Sequence, residues 1–202
     1  MIKIAVLAST NATSSQKLIA DTQSGQVDAE IVCFISNKQD CGAVQRARDN
    51  NIEAIFIDPQ NKSREEFDAE VMKVLEEKKV DLVFLIGYMR ILSTEFVQKW
   101  GNKTMNIHPS LLPAFAGGMD KNVHQEVLKA GVKKTGCTLH FISEQADAGP
   151  IILQEEVKIE PNETVDSLKA KVQAKEQEVI VEAVQLFAEG RIKIENNKVV
   201  IK

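Results

Sequence analysis

The chain has 202 residues, 44% hydrophobic and 27% charged, with 25 basic against 29 acidic side chains and a formal net charge of −4. A chain of that length buries a core without metal or disulfide staples, and its charged fraction is too ordinary for a disordered segment. The negative balance excludes a protein that coats nucleic acid through a general basic field, so any anionic ligand must be met by a local pocket.

Three cysteines, Cys33, Cys41 and Cys137, form no Cys-x-x-Cys pair. This points away from a disulfide framework and a thiolate metal site, and toward reduced thiols in the cytoplasm. The apolar start, Met1 to Ser9, is too short for a membrane span and lacks the basic leader of a signal peptide, so a buried first strand is expected.

Apolar runs of strand length recur at Ile2 to Leu7, Ile31 to Ile35, Ala54 to Ile57 and Leu82 to Ile86. They are continuous rather than alternating, as expected where helices cover both faces of a parallel sheet, and helix-like stretches separate them at Ser14 to Gln23, Cys41 to Asn50 and Ser63 to Lys79. The first half therefore reads as a βαβαβαβ unit. Right-handed crossovers line up the carboxyl ends of such strands along one edge, which singles out the loops after Leu7 and Ile86. In the second half the pattern predicts a short capped helix at Ser93 to Trp100, a strand at Thr104 to Ile107 and a helix at Val123 to Ala130. Strands at Gly136 to Phe141 and Ile151 to Val157 precede a long helix from Val165 to Glu189, capped by Thr164 and ended by Gly190. Ile192 to Ile201 alternates around Asn196-Asn197 and predicts a terminal hairpin.

The most informative stretch is Met105-Asn106-Ile107-His108-Pro109-Ser110-Leu111-Leu112-Pro113. On an extended segment Asn106 and His108 project from the same face, and Pro109 pushes His108 away from the helical region. An amide donor and an imidazole in one cleft suit acyl transfer, the first stabilising a developing oxyanion and the second moving a proton at nitrogen. A turn carrying a hydrogen-bonded histidine satisfies the same pattern. In Ala146-Asp147-Ala148-Gly149-Pro150, Asp147 could orient His108 or raise its proton affinity, although an ordinary turn aspartate also accounts for the spacing. No Gly-x-Ser-x-Gly motif competes, and three scattered histidines make a histidine metal site a poor reading. The loop Ser9 to Gln16 leads into a helix and offers hydroxyls and amides to a phosphate, but it carries no glycine and serves equally as a Ser/Thr-rich cap.

Taken together, Gly87-Tyr88-Met89-Arg90-Ile91-Leu92, the Asn106 to Pro113 run and Asp147-Ala148-Gly149-Pro150-Ile151-Ile152 resemble the phosphoribosylglycinamide formyltransferase family of purine biosynthesis. The resemblance spans nearly the whole chain in the expected order. It implies an α/β, Rossmann-like formyltransferase fold with a mostly parallel central sheet and helices on both faces. It also implies a single domain, with residues 1–100 as a nucleotide-binding and phosphate-binding half and residues 101–202 as a folate-binding and catalytic half. The implied reaction moves the formyl group of 10-formyltetrahydrofolate, a cosubstrate, to the amine of glycinamide ribonucleotide, without a metal.

Asn106, His108 and Asp147 would be the catalytic three. Asn11, Ala12, Thr13 and Ser14, with Gly87 and Glu176, would meet the acceptor. Met89, Arg90, Ile91 and Leu92 with Ile142, Ser143, Glu144, Gln145 and Ala146 would wall the folate pocket. The partners implied are small molecules, not nucleic acid or membrane. His140 aligns with a strand histidine near the site and is read as a satisfied structural residue; His124 is read as peripheral. Family members usually carry a Gly-x-Gly-Ser-Asn loop where this chain has Thr10-Asn11-Ala12-Thr13-Ser14, losing the residues that reach positive φ freely. A different acceptor amine, such as an amino sugar nucleotide, therefore stays open, as does a ligand-binding homologue without turnover. The stretch Ala116 to Asn122 is expected to be a loop beside the site, either a mobile lid or a static surface loop.

Overall fold

The computed structural model describes residues 1–117 and 123–202. The end of the expected loop, residues 118–122, lies outside the described residues. The first half alternates as its apolar runs predict: β1 (Ile2–Leu7), α1 (Gln16–Gln23), β2 (Ala29–Ser36), α2 (Gly42–Asp49), β3 (Ala54–Phe56), α3 (Arg64–Glu77) and β4 (Leu82–Leu85). The second half adds α4 (Thr94–Trp100), β5 (Thr104–His108), α5 (Val123–Lys129), β6 (Lys134–Phe141), β7 (Ile151–Lys158), α6 (Val165–Ala188) and a hairpin of β8 (Ile192–Glu195) and β9 (Lys198–Ile201). The stretch read as one helix from Ser14 opens instead with a 3₁₀ turn, Thr13–Ser15. Local chemistry sets several boundaries. The Ser63 hydroxyl accepts from the Glu66 amide while the Glu66 carboxylate takes the Ser63 amide, satisfying two orphan donors. The Thr164 hydroxyl caps α6, and Gly190 at φ +68° follows its end.

The seven-stranded sheet has the order β3-β2-β1-β4-β5-β6-β7, with β3 through β5 parallel and β6 and β7 antiparallel. Helices cover both faces, the α/β architecture the sequence implied. Ile4 and Val6 of β1 face one core with Leu18 and Ile19 of α1, Ala43 and Ala47 of α2, and the apolar stripe of α6. Ala5 and Leu7 face the other with Phe67, Val71 and Leu75 of α3 and Phe96 and Trp100 of α4. Both faces of β1 are dry, so its sequence is apolar at every position from Ile4 to Leu7. Phe67, Val71 and Leu75 are fully buried at helical spacing, and each contributes about 1.5–3 kcal/mol of burial.

Two features of this topology place a site. β1 and β4 are neighbours whose chains run off to opposite sides, which opens a crevice at their carboxyl ends. β5 and β6 alternate rather than running apolar throughout. Met105, Ile107, Cys137, Leu139 and Phe141 enter the core lined by α6, so Asn106, His108, Thr138 and His140 point to the opposite face.

Candidate active site

Asn106 pairs with Leu85 at the end of β4 on one side and with His140 of β6 on the other, and β5 continues two residues further to His108. Asp147 reaches both from the loop after β6. Its Oδ2 stands 3.4 Å from His108 Nδ1, and its Oδ1 accepts from Asn106 Nδ2 at 3.4 Å. The structure thus brings the three candidates together. It also adds His140: Asn106 Nδ2 lies 3.1 Å from His140 Nε2, and that nitrogen is 3.6 Å from Asp147 Oδ1. His140 Nδ1 donates to the Phe141 carbonyl at 2.8 Å, which leaves Nε2 as the acceptor for the amide. Read from sequence as a structural histidine, His140 is both satisfied and part of the cluster. The signal was present in Thr138-Leu139-His140-Phe141, where alternation puts the ring on the polar side of the strand.

The partners assign the protons. The Phe115 carbonyl can only accept, so the contact of 3.1 Å to His108 Nε2 requires Nε2–H. Nδ1, facing Asp147, is then the nitrogen that takes up a proton. Burial lowers the proton affinity of His108 below the ordinary imidazole range, against the pull of the Asp147 charge and the Phe115 carbonyl. Burial by itself raises that of Asp147, but the charge of the His108 ring when protonated and the Gly117 amide at 2.9 Å hold its carboxyl below the usual range.

Asp147 occupies this position because of its loop. Its φ is +55°, a left-handed conformation that aspartate tolerates better than most residues. Two residues on, the Gly149 backbone lies against the Phe141 carbonyl so closely that a Cβ would stand 1.8 Å from that oxygen. The glycine of the Asp-x-Gly-Pro run is therefore what lets the loop fold back over the strand end.

A pocket adjoins the cluster. It is lined by Leu85, Tyr88, Arg90, Ile91, Leu92 and Val97 from the segment around the end of β4, by Ile142, Ser143, Glu144, Gln145 and Ala146 from the loop after β6, and by Asn106, His140 and Asp147 of the cluster itself. Of the residues expected here, only Met89 is not in the wall. The residue is 42% exposed, and it is the Met89 amide that is engaged, donating to Ser9 Oγ at 2.9 Å. Arg90 is no free surface arginine, since its guanidinium stacks 4.0 Å over the Phe67 ring. Behind the wall lies a residue that no motif marked. Asp68 is fully buried, and its Oδ2 accepts from the Ser93 amide at 2.5 Å. Burial raises the proton affinity of Asp68.

On the other side of the β1/β4 crevice, the Gly87 carbonyl accepts from the Ser9 amide at 3.0 Å and from Thr10 Oγ1 at 3.3 Å. Gly87 sits at φ +63°, where a Cβ would meet Thr10 Oγ1 at 2.1 Å, so any other residue would be strained and would displace the Thr10 hydroxyl from the Gly87 carbonyl. The adjoining loop corrects one expectation: its lack of glycine does not bar positive φ. Ala12 adopts φ 45° and ψ 41°, at about 1–2 kcal/mol for a residue with a Cβ. The amides of Thr13 and Ser14 open the 3₁₀ turn and by position have no acceptor within it. No acidic side chain lies in the first turn of that helical segment, as an anion site requires. Glu176 of α6 is buried and accepts from the Ser14 hydroxyl, and burial raises its proton affinity, favouring the neutral acid. His124 lies apart on α5, also buried. Among the described residues no three His, Cys, Asp or Glu side chains cluster so as to hold a metal ion, and no helix is long and apolar enough to cross a membrane.

Comparison with known proteins agrees with this geometry. Residues 2–184 match the family model described as formyl transferase. The chain is 37% identical to the phosphoribosylglycinamide formyltransferase of Haemophilus influenzae, over 98% of this chain and 92% of that protein. It is 45% identical to the trifunctional purine biosynthetic protein adenosine-3 of Gallus gallus over 96% of this chain, which spans about a fifth (19%) of that longer protein. The crystal structure of glycinamide ribonucleotide transformylase 1 from Symbiobacterium toebii superposes with a TM-score of 0.94 at 39% identity, covering 100% of this chain and 94% of that one. The chain belongs to the formyl transferase family, alongside its phosphoribosylglycinamide formyltransferases.

Proposed function

We propose that the protein transfers the formyl group of 10-formyltetrahydrofolate to the amine of glycinamide ribonucleotide in purine biosynthesis. The observation that carries this reading is the convergence of Asn106, His108, Asp147 and His140, beside a pocket whose lining includes Asn106, His140 and Asp147. A folate's flat ring would find apolar walls in Leu85, Leu92, Val97 and Ile142, with residues 142–147 also in the lining. When bound, the folate supplies the formyl carbon.

Within that frame each residue has a task. The Asn106 amide is oriented by His140 at 3.1 Å and only loosely by Asp147 at 3.4 Å, so the second N–H is free to turn to an oxygen gaining negative charge. His108 Nδ1 would accept the proton released as the attacking amine bonds to the formyl carbon and pass it to the folate nitrogen as the bond from that nitrogen to the formyl carbon breaks, with the Asp147 carboxylate stabilising the intervening imidazolium. Amides at Ala12, Thr13 and Ser14 would hold the acceptor's phosphate, with Gly87 and Glu176 along its path. Both halves of the chain contribute to each ligand in this reading, since residues 85–97 and 142–147 share the folate pocket and Ser14 meets Glu176. Free cysteines at 33, 41 and 137 suit a reducing, cytoplasmic setting. An amino sugar nucleotide as acceptor loses its main motive, because the glycine-free loop reaches positive φ through Ala12.

The test is turnover. Purified protein mixed with 10-formyltetrahydrofolate and glycinamide ribonucleotide is followed by folate absorbance, and formylated glycinamide ribonucleotide is expected as product. Turnover only with a different amine would overturn the acceptor assignment, and no turnover with any amine would overturn the reaction.

A further inference from the structure

The loop read as the phosphate site is built on an unfavourable conformation, and one side chain outside every motif grips it at both ends. Arg46 lies in α2, well away from the catalytic cluster. Its Nε donates to the Asn11 carbonyl at 3.0 Å, and its Nη1 donates to the side chain of Gln16, the first residue of α1. The left-handed Ala12 and the 3₁₀ turn Thr13–Ser15 lie between these two anchor points. The same face of α2 holds the loop one turn earlier. The Ala43 amide donates to the Thr10 carbonyl at 3.0 Å, and Gly42 sits so close beneath Asn11 that a Cβ would be 2.4 Å from Asn11 Oδ1.

A peptide group has its C=O and N–H on opposite sides. Fixing the Asn11 carbonyl toward α2 therefore turns the Ala12 amide away from α2. Alanine prefers the right-handed region, and in a loop without glycine that preference must be overridden from outside. A guanidinium is suited to the task, because its planar fork donates in two fixed directions and stays charged at any working pH. It also brings a cation to an anion loop that has no lysine or arginine of its own between Ser9 and Gln16.

We propose that Arg46 is a positioning residue for acceptor recognition: by bracketing Asn11 and Gln16 it holds Ala12 in the left-handed conformation that presents the loop amides to the phosphate. This rests on the reading of the loop as the phosphate site, and the experiment separates the two. Four proteins form a cycle: the wild type, Arg46→Ala, Ala12→Gly, and the double variant. Binding of inorganic phosphate is read from the rise of the unfolding midpoint during a millimolar titration, and the acceptor and folate KM values are measured alongside it.

Arg46→Ala is expected to weaken phosphate binding and raise the acceptor KM about tenfold, while kcat and the folate KM change less than about twofold. In the Ala12→Gly background the same substitution is expected to change them less than about threefold, because glycine takes positive φ without help. Arg46→Lys keeps a donor but not the fork and should fall between. An equal loss in both backgrounds would overturn the proposal, showing that Arg46 acts as a charge and not through Ala12. Unchanged phosphate binding in Arg46→Ala would also overturn it. Wild-type protein that does not bind phosphate at all would instead overturn the reading of the loop itself, and the proposal with it.

Discussion

Asp147 Oδ2 and His108 Nδ1 stand 3.4 Å apart, and the other ring nitrogen of His108 is already committed to the Phe115 carbonyl. The carboxylate therefore faces the one ring nitrogen left to take up a proton, the step assigned to it in the proposed reaction. Burial depresses the proton affinity of His108 and Asp147 raises it. Asp147→Asn removes the raising partner, so the acidic limb of the pH–rate profile, where neutral His108 is lost, should move to lower pH. The plateau should fall by about 10²–10³-fold, as expected when an imidazolium loses its stabilising charge. A pH series of kcat on both proteins checks this; a limb displaced to higher pH would contradict the assignment.

The position of Asp147 depends on Gly149. Gly149→Ala places a Cβ 1.8 Å from the Phe141 carbonyl, and a backbone oxygen cannot rotate away as a side chain does. The loop must lift, costing about 1–3 kcal/mol of stability and carrying Asp147 from His108. Urea unfolding and kcat measured on the same variant should fall together. Full activity with only a stability loss would mean that the carboxylate is held by other contacts.

Asp68 gives a pH signature of its own. Burial raises its proton affinity in the folded state above that in the unfolded chain, so its favourable contribution is full below the unfolded pKa, about 3.9, and is lost as pH rises through the folded value. Asp68→Asn keeps an acceptor for the Ser93 amide without the buried charge. The stability of the Asp68→Asn variant relative to wild type should therefore improve from about pH 4 toward about pH 7. Chemical unfolding across that range measures the difference, and a relative stability that declines with pH would show that the carboxylate is stabilised as an anion.

Glu176 is buried, takes the Ser14 hydroxyl, and favours its neutral form. Glutamine reproduces the shape and the accepting oxygen of a neutral acid. Glu176→Gln should therefore leave the acceptor KM within about threefold, whereas Glu176→Ala, which strands the Ser14 hydroxyl, should raise it by about tenfold. Glutamine and alanine variants that are equally impaired would assign the work to the charged carboxylate.

Much of the architecture was legible because burial on two faces writes itself into continuous apolar runs, as from Ile4 to Leu7, and because Ser63, Thr164 and Gly190 mark helix ends by their own chemistry. The Asn106 and His108 pair was legible from strand periodicity alone. What the sequence hid depends on contacts between distant segments. Nothing in the letter alanine announces a left-handed Ala12, and nothing near Arg46 announces that its partners are Asn11 and Gln16. His140 was visible only as a lone strand histidine until the register of β6 on β5 set it opposite Asn106. Asp68 carried no motif because its partner is a backbone amide, which any residue but proline could provide.

The reversal of strand order between β1 and β4 has a bearing on redesign. The furrow there follows from the connectivity of the chain, not from any one side chain, so it survives wholesale changes to the segments bordering it. Swapping residues 11–14 for another sequence that meets the same backbone demands should alter which acceptor is welcomed, while Ser9 and Thr10 keep their hold on Met89 and Gly87 and the pocket beside Asn106 stays assembled. A search for new acceptor preferences is best confined to that rim.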